Sequence, residues 1–105
     1  MKTQTNVGLG IADIIGNKRD EVLALANKHG AYNVRVFGSV ARNEAMPNSD
    51  VDFLVEWDFA RISPWGGAGL DIELRELLGR SVDVVTIEDL HPLMRSSVLE
   101  EAITL

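Results

Sequence analysis

Asp50 and Asp52 stand one residue apart in Asp50-Val51-Asp52-Phe53-Leu54-Val55-Glu56, a stretch that alternates well enough to be a β-strand. On a strand, residues two apart share a face and lie about 6.6–6.8 Å apart along it. Both carboxylates then converge on one exposed spot, while Val51, Phe53 and Val55 point into the core. Like charges so placed repel unless a cation intervenes. Taken alone, an Asp-x-Asp on an amphipathic strand is ordinarily a solvated face. Asp83 alters that reading, because it sits within Val82-Asp83-Val84-Val85, where a charge is expensive to bury unpaired, unless it is a partly solvated strand residue near a sheet edge. A third acid beside the first pair suits Mg²⁺, which takes oxygen ligands and leaves its remaining positions to water and phosphates.

Gly38-Ser39 adds a second chemistry. It ends an apolar stretch and precedes Val40-Ala41-Arg42, which reads as a strand–turn–helix junction. Free backbone N–H groups at a helix start, a small hydroxyl and a glycine that permits close backbone approach together make a phosphate cradle. Arg42 is placed to assist the phosphates, although a plain surface arginine has the same appearance. Gly-Ser alone is an ordinary turn. The combination, Gly-Ser followed after ten residues by Asp-x-Asp, recurs by chance in roughly one chain per thousand of this length.

These residues need elements to hold them. Ile11, Ile14, Ile15, Val22, Leu25 and Ala26 recur at helical spacing, with Gly16-Asn17 able to divide the run and Gly30 to stop it. Tyr32, Val34, Val36 and Phe37 predict the first strand, and the acidic stretch above predicts the second. Leu70, Leu74, Leu77 and Leu78 form the stripe of a helix that Gly79 ends. Residues 81–86 predict the third strand. His91-Pro92 opens a last helix expected to carry Leu93, Val98, Leu99, Ala102 and Ile103, with Glu100-Glu101 on its solvated face. The alternation predicts an α/β fold, a small mixed sheet with helices packed on it, as a single domain over 1–105.

Composition narrows the function. The chain has 105 residues, no cysteine and a net charge of −6, so disulfides, thiol nucleophiles and cysteine-bound zinc are excluded. Residues 1–43 carry six Lys/Arg against three Asp/Glu, and the remainder four against thirteen. An acidic chain without a basic stripe is poorly suited to gripping nucleic acid directly. No apolar run approaches the ~20 residues of a membrane span, and the first residues do not read as a secretory signal. A cytoplasmic location is expected. His29 and His91 adjoin no ligand-like spacing and read as surface or cap residues. Trp57, Phe59 and Trp65 lie in or near irregular chain, where they either cover the small core or meet a partner.

The stretch GSVARNEAMPNSDVDFLVE resembles the signature of the DNA polymerase β-like nucleotidyltransferase superfamily, Gly-Ser, ten residues, then Asp-x-Asp. The chain from about Ile11 through LRELLGRSVDVVT to its last helix resembles the minimal nucleotidyltransferases, the MntA-like antitoxins found beside HEPN-domain toxins. The resemblance implies that Gly38 and Ser39 contact phosphates and that Asp50 and Asp52 bind metal. It gives Asp83 the place of the third acid, which binds metal and activates the attacking hydroxyl. It further implies two Mg²⁺ ions, ATP as substrate, and transfer of AMP to a hydroxyl, such as that of Tyr, on a HEPN RNase toxin held in a hetero-oligomer. Asn43 stands where the family commonly has glycine, and Asn also tolerates left-handed backbone. Trp65-Gly66-Gly67 has no clear counterpart. Two other readings fit the same residues: a non-catalytic module that blocks its partner by contact, and a small-molecule nucleotidyltransferase subunit.

Overall fold

The computed structural model describes residues 8–62 and 68–105. Its order is α1 (Ile11–Ile14), a 3-10 turn (Gly16–Lys18), α2 (Arg19–Lys28), β1 (Ala31–Phe37), α3 (Gly38–Ala41), β2 (Val51–Trp57), α4 (Ala68–Leu78), β3 (Val82–Val85), a second 3-10 turn (Ile87–Asp89), α5 (Pro92–Glu101) and β4 (Ile103–Thr104). The expected α/β architecture is present. Gly16 divides the first helical run with φ +50, a conformation glycine adopts at little cost. The segment at 63–67, with Trp65, lies outside the described residues. Among the described residues, no helix is long and apolar enough to cross a membrane.

The four strands are ordered β3-β2-β1-β4. β1 runs antiparallel to both β2 and β4, whereas β2 and β3 are parallel. Such a parallel pair needs a crossover, and α4 supplies it. One face of the sheet, with Val36, Val51, Phe53 and Val82, packs against Val22, Ala26, Leu70 and Leu74 of α2 and α4. The other face, with Phe37 and Leu54, is covered more thinly, by Val98 of α5. Val51, Phe53 and Val55 point inward as expected, each no more than 1% exposed. Leu54 is equally buried, because α5 lies over the second face.

The last helix departs from the sequence reading. It ends at Glu101, and Ala102 turns to extended backbone with ψ 134. Ile103 and Thr104 then pair with Val36 and Arg35 as an edge strand. The helical spacing of Ala102 and Ile103 misled because β1 otherwise has an unpaired edge, and a β-branched residue there completes the ladder.

Candidate active site

The end of β1, α3 and the start of β2 bring the predicted residues together. Phe37 is the register partner of Asp52 across the antiparallel pair, so Gly38 follows directly beside that acid. Gly38 has φ +75, and a Cβ at this position would run into Asp52 Oδ2. Only glycine fits. Ser39, half-buried in α3, accepts a backbone hydrogen bond from the Glu44 N–H at 2.9 Å. Asn43 does take left-handed backbone, with φ 59.

Asp52 and Asp83 are register partners on the parallel strands β2 and β3 and therefore share a sheet face. Asp50 lies just before β2, in chain anchored on both sides. The Met46–Ser49 turn is closed by the Ser49 N–H to the Met46 carbonyl at 3.0 Å. Arg80 Nη1 donates to the Ser49 carbonyl at 3.2 Å, and the Val51 N–H donates to the Ser81 carbonyl at 2.9 Å.

Burial decides between the two readings of Asp83. Asp83 is exposed, whereas Asp52 is the partly buried acid. β3 is the outer strand and its Asp83 faces the thinly covered side, so solvent reaches it despite the apolar neighbours. Burial, followed by the charges of Asp83, Asp50 and Glu101, pushes the Asp52 carboxyl up to about 6, and Arg42 opposes the shift. Acid crowding of this kind marks a place where a cation is favoured. Among the described residues no three acidic or imidazole side chains gather into a ready-made metal cage. Mg²⁺ does not require one, because it is ordinarily held by one or two carboxylates together with substrate phosphates. The all-oxygen donor set of Asp50, Asp52 and Asp83 fits such an ion.

Glu101 is the residue that sequence reasoning missed. Instead of lying on a solvated face, it is half-buried against the site. The Gly38 N–H donates to its Oε2 at 2.6 Å, and Arg42 Nη1 donates to its Oε1 at 2.9 Å. Arg42 also pairs with Glu44 at 3.0 Å, so the predicted phosphate arginine is already engaged with acids of this chain. No local pattern signals this, since the contact spans 63 residues.

The other singled-out residues lie elsewhere. His91 caps α5 by accepting from the Leu93 N–H at 3.1 Å, and His29 pairs with Glu73 between α2 and α4. Trp57 packs on the main core, while Phe59 is 83% exposed. A cavity of about 450 Å³, lined by Arg35, Glu56, Ile87 and Leu99 among others, opens toward the far end of β2.

The chain belongs to the nucleotidyltransferase domain family, whose model matches residues 19–105. It is 38% identical over 89 residues to MJ0435 of Methanocaldococcus jannaschii, a candidate protein adenylyltransferase, covering 85% of this chain and 95% of that one. It is 39% identical over 80 residues to the protein adenylyltransferase MntA of Thermococcus cleftensis, covering 75% and 79%. A solved candidate minimal nucleotidyltransferase shares 47% identity and superposes with a TM-score of 0.73, covering 85% of this chain and 90% of that one. The fold also matches a toxin–antitoxin structure solved with AMP-PNP, at 19% identity and a TM-score of 0.65, covering 81% and 69%.

Proposed function

We propose that this chain is an antitoxin of the protein adenylyltransferase type, using ATP and Mg²⁺ to modify a tyrosine hydroxyl on a HEPN-domain RNase toxin. The observation that carries the proposal is the close approach of Gly38 to Asp52, with Asp83 opposite on the next strand. A backbone N–H of the kind that can hold a phosphate then lies beside a crowded set of acids, which supports this reading. The names of the relatives, protein adenylyltransferase, favour a protein acceptor, as does the occurrence of the fold in toxin–antitoxin complexes.

In this reading Asp50 and Asp52 hold the metal, and Gly38, Ser39 and Arg42 hold the phosphates. Bound Mg²⁺ would neutralise charge on the triphosphate and on the leaving group. The acceptor oxygen attacks the α-phosphorus, a new P–O bond forms, and the bond to the bridging oxygen breaks to release pyrophosphate. Asp83, solvent-accessible at the rim, takes the hydroxyl proton. The acceptor arrives on the partner protein.

ATP labelled at either the α- or the γ-phosphate distinguishes the readings. With the cognate HEPN protein present, α-label should enter that protein in whole AMP units, and γ-label should not. Label from the γ-phosphate would mean kinase chemistry. Protection of cells by an Asp50→Asn/Asp52→Asn variant as complete as that by wild type, with no label transferred, would mean a contact-only inhibitor.

A further inference from the structure

We propose that Glu101 is a built-in competitor for the nucleotide's phosphates, a side-chain gate that occupies the Gly38 N–H and Arg42 until ATP displaces it. This inference rests on the reading of Gly38 and Arg42 as phosphate ligands.

The geometry is specific. One carboxylate oxygen of Glu101 accepts from the Gly38 N–H at 2.6 Å, and the other accepts from Arg42 Nη1 at 2.9 Å. A carboxylate presents a pair of oxygens to donors much as one edge of a phosphate does. Both donors assigned to the phosphate therefore already hold an anion, and that anion comes from the chain itself. The short distance to Gly38 is that of a charge-assisted bond. The contact also has a cost to the molecule, because it adds a negative charge beside Asp52, which Asp50 and Asp83 already crowd.

A pure structural staple would be placed differently. Glu101 is the last residue of α5, and the chain beyond it is held independently where Ile103 and Thr104 pair with β1. Val98 anchors α5 through the core. The side chain can swing away by its own rotations while helix and strand stay in place. A polyphosphate arriving with its metal would supply anionic oxygens to Gly38 and Arg42 and a cation to the aspartates, relieving the crowding that Glu101 increases. Apparent affinity is then lowered by the fraction of molecules whose donors are free.

The test is the full chain with Glu101→Gln and Glu101→Ala, titrated calorimetrically with Mg²⁺-ATP and separately with Mg²⁺-tripolyphosphate. Both variants should bind both ligands tighter than wild type, by about tenfold, and the gain should persist with tripolyphosphate because the base plays no part. The Gly38 amide proton resonance reports the gate without any ligand. It should lie far downfield in wild type, move upfield in Glu101→Ala, and return downfield in Glu101→Ala on adding Mg²⁺-tripolyphosphate, which takes the place of the carboxylate. Unchanged or weaker binding by both variants would overturn the gate, as would a Gly38 resonance that ignores the substitution. Failure of wild type and both variants to bind either ligand would overturn the phosphate reading itself, and the gate with it.

Discussion

Asp52 and Asp83 stand opposite each other in register on the parallel strands β2 and β3, with Asp52 partly buried and Asp83 exposed. The unequal surroundings matter more than the pairing. Asp52 titrates near 6 because burial, then the neighbouring carboxylates, disfavour its charge. Its ordinary value is near 3.8, so the stability it contributes is fully present below about pH 4 and is lost as pH rises toward 6. Asp52→Asn removes that loss. In chelator at pH 8 the variant should be more stable than wild type by about 1–2 kcal/mol, a Tm increase of roughly 5–10 °C. The difference should fade on acidification and vanish below about pH 4. A thermal melt series across pH checks it.

Metal and nucleotide should reverse the ranking. Mg²⁺-ATP at a hundred times its Kd adds about 2.7 kcal/mol to the native state, and wild-type Tm should rise accordingly. Asp50→Asn with Asp52→Asn should abolish the increase while the circular dichroism spectrum remains native. An equal nucleotide-dependent shift in the double variant would remove these acids from the metal site.

Gly38→Ala should do more harm than an ordinary turn substitution. Its φ of +75 alone costs about 1–2 kcal/mol for a residue with a Cβ. The added methyl also meets Asp52 Oδ2, so the acid must shift. Denaturant unfolding should show the loss of stability, and nucleotide binding should fall beyond detection.

Asp83→Asn should separate binding from transfer. Its exposed position means the fold does not depend on it, and loss of a general base slows transfer by about 10²–10⁴-fold. Single-turnover assays with the cognate toxin should show that slowing, while calorimetry still detects ATP. Normal transfer by Asp83→Asn would assign the proton to another group.

Much of this was readable from local pattern. Inward-facing Val51, Phe53 and Val55 set the side of the sheet on which Asp52 appears, and positive φ at Gly16, Asn43 and Gly79 falls where residue type permits it. What escaped was set by distant chain. The apolar neighbours of Asp83 left its burial open, because burial depends on what lies over a strand, and β3 is an outer strand. Glu101 looked solvated because an adjacent pair of glutamates on a helix usually is. Its partners are on α3 and just beyond it, brought close only after the sheet has formed. β4 is two residues long, too short for any periodicity to reveal.

The sheet's unequal covering has a kinetic meaning. Among the described residues, fourteen buried ones form the layer that includes α2 and α4, against three on the side of α5. Regions with few buried contacts open at a lower free energy than the rest of a domain. Backbone amides of α5 and β4 should thus exchange with deuterium well before those of β1 and β2, by an opening that leaves the larger layer closed. The helix that carries Glu101 to the site would then be the first part of the molecule to detach, and one that a partner could capture without unfolding the remainder.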